Sequence, residues 1–134
     1  MSMHSWELQK ALYAKLNGNV IDDDGNVVTI YDDVPQGAAY PRVVIGEETA
    51  SNNGTKSLDG LEHTVTIHVW SQYRGRAQLK QIMQSVYENL HDADITVAGA
   101  DAVNVRQEFS TTLSENDNIT RHGVMRFRVA VFDN

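Results

Sequence analysis

The 134-residue chain contains no cysteine, only two prolines, and no apolar run long enough to span a membrane. Without cysteine it can form no disulfide, thiol nucleophile or thiolate zinc site. Its longest apolar runs, such as 129–132, fall far short of the roughly 20 residues that cross a bilayer. The first ten residues also lack the apolar stretch of a signal peptide. We therefore predict a soluble protein that is not exported by that route and has no membrane partner.

Basic residues are also scarce. Eleven Lys and Arg stand against eighteen Asp and Glu, which gives a formal net charge of −7, and no five-residue window is predominantly basic. This balance argues against a sequence-independent grip on DNA phosphates. The apolar fraction of 41% and the few glycines and prolines exclude a disordered or collagen-like chain. The length predicts a single domain, 1–134, because two cores would each need about 100 residues.

Hydrophobic periodicity predicts two helices. Apolar residues recur at helical spacing over 8–16, with Ser5 as a candidate N-cap and Asn17 and Gly18 as residues that end helices. A second apolar stripe predicts an amphipathic helix over about 75–91.

Alternation of apolar and polar residues predicts the strands. They are expected near 19–22, 27–31, 42–47, 61–70, 102–109 and 120–132. Asp24-Gly25 predicts a tight hairpin between the first two. Polar residues predict a mobile loop at about 49–60 and a link at 111–119. The succession of elements predicts an α+β fold, with both helices on one face of a mainly antiparallel sheet.

Alternation also predicts which residues share a face of the last two strands. Val103, Val105, Gln107 and Phe109 are expected together in the first of them. In the final strand, Arg126 and Arg128 are expected on the polar face, opposite Glu108 of the preceding strand.

One segment imitates a calcium-binding loop. Asp22, Asp24, Asn26 and Asp33 follow the ligand spacing of such a loop, but Val27 stands at the sixth position, where glycine is required. The flanking segments are also predicted to be strands rather than helices. A solvated hairpin turn is therefore the preferred interpretation.

No other pattern predicts a metal, a cofactor or catalysis. His63 and His68 have opposite parity on one predicted strand, so they point to opposite faces and cannot share a metal with His122. The chain has no nucleophile elbow, zinc-protease motif or phosphate-binding glycine loop. We expect no enzyme activity, no metal and no cofactor.

The basic turn Arg74-Gly75-Arg76 is unusual, because cations at the start of a helix oppose its dipole. Two interpretations are open. The arginines are either flexible side chains in water, or they dock on a carboxylate of a neighbouring molecule or chain.

Three stretches in order carry a family resemblance: YDDVPQGAAYP at 31–41, HTVTIHVWSQYRGR at 63–76 and TRHGVMRFR at 120–128. Together they resemble the tail-completion proteins, or tail terminators, of long-tailed phages, prophages and gene transfer agents. The resemblance runs from about 31 to 131. It departs at 19–30, where the Asp-rich hairpin is longer than expected for the family.

The resemblance implies a small α+β subunit that closes into a ring, usually a hexamer, on the head-proximal end of the tail tube. The ring ends tube polymerisation and joins the tail to the head connector or stopper protein, and DNA passes through its bore without specific binding. The implied location is the tail of a virion or phage-like particle, assembled in the bacterial host cytoplasm. No catalytic residue is carried over; Pro35, Gly37 and Pro41 are implied to shape the strand connection.

A closed ring of identical subunits needs two different complementary surfaces on each. The candidate interface residues are Arg74, Gly75, Arg76, Arg121, Arg126, Arg128, Asn52, Asn53 and Lys56. The segments 49–60 and 111–119 are candidates for contacts with the tube protein and the connector. The alternatives are a stand-alone α+β module that binds a small ligand or peptide, and a small hydrolase.

Overall fold

The computed structural model describes residues 3–52 and 60–134. Its elements, in chain order, are α1 (Ser5–Leu16), β1 (Thr29–Tyr31), β2 (Arg42–Asn52), β3 (Gly60–Ser71), α2 (Ala77–Leu90), β4 (Ala100–Ser114) and β5 (Arg121–Asp133). The strands form a sheet in the order β1-β2-β3-β5-β4. Only the β1–β2 pair is parallel. The predicted α+β class and mainly antiparallel sheet are confirmed.

Both helices lie on the same face of the sheet, as predicted. The odd-numbered residues of β3 and β5 point to this covered face and are paired across the strands, as Ile67 is with Met125. They form one core with the apolar stripes of α1 and α2. The second helix packs so closely that a Cβ at position 123 would lie 2.6 Å from Met83 Sδ, and Gly123 leaves the space that this packing requires.

The opposite face carries the even-numbered residues of β3 and β5, and we call it the open face. Arg126 and Arg128 are exposed there, whereas Thr64, His68 and Trp70 are half-buried. Within the described ranges, no helix covers this face. The same strands therefore present an apolar surface to the helices and a polar surface to the outside.

The start of α1 differs from the prediction. The helix begins at Ser5, but His4 occupies the N-cap in the left-handed region at φ 59°, and no side chain caps the helix. The Ser5 hydroxyl is buried without a hydrogen-bond partner among the described residues. The His4 ring instead hydrogen-bonds the Asp133 carboxylate, which connects the start of α1 to the end of β5.

The Asp24-Gly25 turn forms as predicted, but the first of the two strands around it does not form and the second is shortened to β1. Only a single bridge, between Ile21 and Val27, connects its arms. The Ile21 amide donates to the Ser85 hydroxyl of α2 at 3.0 Å, which holds this arm to the helix layer. The second predicted strand is limited to 29–31, which is β1, and it pairs in parallel with β2. The predicted strand at 19–22 is therefore wrong.

Two predicted polar connections are shorter than expected. The β2 strand continues through 49–52 and pairs with β3, and β4 continues to Ser114 and pairs with β5. Main-chain hydrogen bonds extend both pairs beyond the apolar core, so polar composition did not end the strands. The predictions of loop at 49–52 and of link at 111–114 are wrong. The rest of the predicted loop, apart from the first strand residue Gly60, lies outside the described residues.

No helix in 3–52 or 60–134 is both long and apolar enough to cross a bilayer.

Candidate assembly surfaces

The basic turn lies between β3 and α2, where Arg74, Gly75 and Arg76 are all exposed. Gly75 has φ 75°, a left-handed conformation that glycine adopts without strain. The flanking chain is fixed, because the Ser71 hydroxyl accepts from the Tyr73 amide at 3.1 Å and donates to Gln78 Oε1 at 2.6 Å. The two arginines therefore extend into solvent from an anchored turn.

The start of α2 has no compensating negative charge. Arg76 is its N-cap, no side chain caps it, and its first turn contains no acidic residue. Lys80 is also exposed on the following turn. Within the described part of the chain, Arg74, Arg76 and Lys80 have no ion-pair partner. We call these three residues the basic patch.

A second patch carries the opposite sign. Residues 16–41 contain five aspartates and no Lys or Arg. The four that are exposed are Asp23, Asp24, Asp32 and Asp33, and in the described ranges none forms an ion pair. We call Asp32 and Asp33, which directly follow β1, the acidic patch.

The fifth aspartate, Asp22, has a structural role. Its Oδ1 accepts from the amides of Asp24 and Asn26, both at 2.9 Å, so it stabilises the turn. This geometry agrees with a hairpin turn rather than a calcium loop.

The open face places the other arginines in different surroundings. Arg128 Nη2 donates to Glu108 Oε2 at 2.7 Å, and its Nε lies 3.4 Å from Glu62 Oε1. Arg126 instead lies over the Phe109 ring, 5.0 Å from its centroid. The prediction that both arginines face Glu108 holds for Arg128 alone.

Two bulges in β4 explain this difference. Register shifts occur between Val103 and Arg106 and between Gln107 and Phe109. The second shift places Phe109 beside Arg126 on the open face, whereas Gln107 still pairs with Phe127 of the covered face. The prediction that Phe109 shares a face with Val105 and Gln107 is therefore wrong.

Arg121 lies at the start of β5, next to a well-ordered turn. Its Nη1 donates to the Ser114 hydroxyl at 3.3 Å. In the turn, the Asp117 carboxylate accepts from the Thr120 hydroxyl and from the amides of Ile119 and Thr120. These hydrogen bonds lower the pKa of Asp117, and the bond from the Thr120 hydroxyl makes the largest contribution.

The open face also contains a linear cluster that the sequence did not reveal. His68 Nε2 lies 2.7 Å from Glu47 Oε1, and His68 Nδ1 lies 2.7 Å from His122 Nε2. The other nitrogen of His122 is 3.4 Å from Glu115 Oε1. The Trp70 ring stacks on His122, with centroids 3.7 Å apart and planes 8° apart. We call these five residues the histidine cluster.

Hydrogen-bond chemistry limits the contact between the two rings. His68 Nδ1 and His122 Nε2 are 2.7 Å apart, so one of these nitrogens donates and the other accepts. Two N–H groups facing each other at this distance would repel.

Burial and charge shift two pKa values in the histidine cluster. Burial, followed by the charge of His68, lowers the pKa of His122. The hydrogen bond from His68 lowers the pKa of Glu47. The cluster therefore favours a charged Glu47 and an uncharged His122.

A bulge in β2 brings Glu47 to the cluster. The register shifts between Ile45 and Glu48, so that Glu48 pairs with Val65 of the covered face. Alternation alone would have placed Glu47 on the covered face. His68 and His122 are even-numbered residues of β3 and β5, so both were expected on the same face. The sequence did not predict the register of these strands, which brings the two rings together. His63 lies on the covered face and is fully buried, which agrees with the predicted opposite orientation of His63 and His68.

Of the remaining predicted interface residues, Asn52 is the last residue of β2 and pairs with Leu61. Asn53 and Lys56 lie outside the described residues. Arg74, Gly75 and Arg76 lie in the turn between β3 and α2, whereas Arg126 and Arg128 lie on the open face of β5.

The clefts of the described chain are surface grooves. One, of about 340 Å³, separates α2 from β4 and is lined by residues that include Lys80, Met83 and Thr112. Another, of about 290 Å³, lies between α1 and β2 and is lined by residues that include Trp6, Tyr13 and Asp32. Within 3–52 and 60–134, no group of three or more His, Asp or Glu side chains is arranged to hold a metal ion.

Comparisons with known proteins agree on one family. A family model described as tail completion protein gp17 matches residues 10–131. The tail completion protein gp17 of Bacillus phage SPP1 is 30% identical over 95 residues, which cover 71% of this chain and 70% of that protein.

A solved structure shares the fold. A chain from a structure titled "Virion of native gene transfer agent (GTA) particle" superposes with a TM-score of 0.84 at 24% identity. The superposition covers 93% of this chain and 94% of that chain.

Proposed function

Because the chain belongs to the tail completion protein gp17 family, we propose that it is a structural component of a phage or phage-like tail. The resemblance inferred from three sequence stretches is thereby confirmed at the level of the family. The observation that carries the proposal is the extent of the family match, which runs from within α1 to within β5. We further propose that the protein forms a ring, hexameric in the complete particle, at the head-proximal end of the tail tube.

The ring would end tube polymerisation and form the joint to the head connector or stopper protein. The unmatched charges support such a role, because the basic and acidic patches have no partner in the described part of the chain. Surfaces of this kind suit contacts with other protein subunits. The tail tube protein, the connector and further copies of this chain are the partners that we propose.

Net charge supports passage of DNA without binding. Six copies with −7 each would carry a formal charge of −42. An acidic bore repels phosphates, so that DNA can slide through instead of being held. We place the protein in the virion or phage-like tail, after assembly in the host cytoplasm.

We propose no catalytic activity. The family is one of structural proteins, and the described grooves hold no nucleophile, base and orienting group in mutual contact. The protein would act through its shape and its contacts with other subunits of the particle.

Deletion of the gene from the phage or phage-like element that encodes it tests this function. Electron microscopy should show overlong tails, or tails and heads that are not joined, and a plasmid copy of the gene should restore complete particles. Complete particles of normal tail length in the deletion lysate would disprove the proposal. A deletion defect confined to head assembly, with normal free tails, would also contradict it.

A further inference from the structure

The unpaired charges of this protein are segregated by sign. Residues 63–87 contain Arg74, Arg76 and Lys80 and no Asp or Glu, whereas 16–41 contain five aspartates and no Lys or Arg. Each patch thus concentrates like charges, whose mutual repulsion weakens when opposite charges approach. The missing countercharge of each patch is present on the other.

Asp32 and Asp33 of the acidic patch and Lys80 of the basic patch lie towards opposite edges of the sheet. Asp32 and Asp33 directly follow β1, which is one edge of the sheet. Lys80 lines the groove between α2 and β4, and β4 is the other edge. One copy does not bring the patches within ion-pair distance, and a second copy can offer an acidic patch to the basic patch of the first.

The arrangement favours a ring over a two-fold dimer. In a two-fold contact, the same surface of each copy meets its equivalent. Complementary patches towards opposite edges instead produce a head-to-tail contact, which repeats until the ring closes. This is the symmetry that the proposed function requires.

The arginines of the open face are less suited to this contact. Arg128 already binds Glu108 and Glu62, and Arg126 lies over Phe109. The exposed residues of the basic patch have no such partner among the described residues, so their charge is available to a neighbour.

We propose that the basic patch of one copy, Arg74, Arg76 and Lys80, docks on the acidic patch of the next, Asp32 and Asp33. This inference rests on the proposed function and specifies the surfaces that join its subunits. It resolves the open question about the basic turn in favour of docking between copies.

Complementary charge reversal tests the contact. One variant is Asp32→Lys with Asp33→Lys, and the other is Arg74→Glu with Arg76→Glu. Each is supplied from a plasmid to the gene-deleted phage, alone or together, and complete particles are counted. The matched control, Asp94→Lys with Asp101→Lys, makes the same change in net charge as the Asp32 and Asp33 variant, at exposed residues outside both patches.

Each reversed variant alone should lower the yield of complete particles at least about tenfold, because like charges then meet at every contact. The two variants together should restore particles, since the reversed acidic patch fits the reversed basic patch. Such a ring alternates the two variants and closes only with an even number of subunits. Mass spectrometry of purified tails should therefore find them in equal amounts.

Three results would overturn the inference: normal yield from either reversed variant alone, no recovery from the pair, or the same loss in the control. Thermal melting of each purified variant checks folding. If a reversed variant does not fold, the neutral changes Asp32→Asn with Asp33→Asn and Arg74→Gln with Arg76→Gln replace it. Each neutral pair should then lower the yield and make assembly less sensitive to salt, because fewer charge pairs remain to be screened; unchanged yield and salt dependence would overturn the inference.

The gene deletion separates this inference from the proposed function. Complete particles in the deletion lysate refute the function itself. A deletion defect that both reversed variants repair as well as the native chain refutes only the docking surfaces.

Discussion

The covered and open faces of the sheet are made by alternate residues of the same strands, yet they differ in almost every property. On β5, Phe127 is fully buried beneath the helices, whereas its neighbour Arg126 is exposed. The covered face is a continuous apolar core, and the open face carries ion pairs and the histidine cluster. Along β3 and β5, residues that stabilise the fold by burial therefore alternate with residues that form the polar surface.

The largest expected effect is at the core. Val86 of α2 is fully buried against the covered face. Val86→Asp places an unpaired charge there, and we expect it to lower the free energy of unfolding by at least about 3 kcal/mol. Urea denaturation followed by circular dichroism measures the loss. A variant that unfolds like the native protein would show that α2 does not cover this face.

Neighbouring substitutions on β5 compare the two faces directly. Phe127→Ala should destabilise the protein by about 3–5 kcal/mol, because it leaves a cavity in the core. Arg126→Ala removes only an exposed contact with Phe109 and should cost less than about 1 kcal/mol. Urea denaturation of both variants provides the comparison. Equal losses would contradict the assignment of the two faces.

The close approach of Gly46 to His68 gives a smaller effect on the open face. A Cβ at position 46 would lie 2.7 Å from His68 Cδ2 and 3.2 Å from the Thr66 carbonyl oxygen. The His68 ring is fixed by two hydrogen bonds, so Gly46→Ala should cost about 1–3 kcal/mol. In a His68→Ala background the same change should cost clearly less. A double-mutant cycle measures this coupling, and strict additivity would exclude the clash as its cause.

The smallest expected effect is a dependence on pH. His122 has an ordinary pKa of 6.5, which the folded state lowers. Below this value the unfolded chain takes up a proton that the folded chain resists, so stability falls as the pH decreases through it. Glu47, His68 and Glu115 face this ring, and the lowered pKa of Glu47 keeps it charged in this range.

The measurement is the melting temperature at about pH 7.5 and about pH 5.5. Between the higher and the lower pH, the melting temperature of the native protein should decrease more than that of the His122→Gln variant, because only the native protein titrates at this position. The histidines that do not contact His122 are common to both proteins and act as the internal control. An identical decrease in both proteins would remove His122 as the cause.

Most of the covered face could be predicted from sequence. The stripes of α1 and α2 and the alternation in β3 and β5 depend on local periodicity, and burial follows from it. The ends of strands were less predictable. At Thr49 and Thr111 polar residues suggested loops, but pairing with a neighbouring strand provides hydrogen bonds that composition does not reveal.

The candidate surfaces divide in a similar way. The basic turn at Arg74 and Arg76 and the Asp-rich segment are visible as runs of one sign. Their lack of partners is visible only once the remaining charges have been placed, as when Arg128 meets Glu108 and Glu62. The histidine cluster was missed because His68 and His122 are 54 positions apart.

The sequence by itself determined the class of fold, the buried faces of the two helices, the alternation of buried residues in β3 and β5, and the family. Each of these depends on residues close along the chain or on ordered motifs. Only the tertiary structure decided strand register, the bulges at Glu48 and Phe109, and which charges remain unpaired. Those features depend on contacts between distant segments, and a shift of one residue in a strand reverses the face to which every later side chain points.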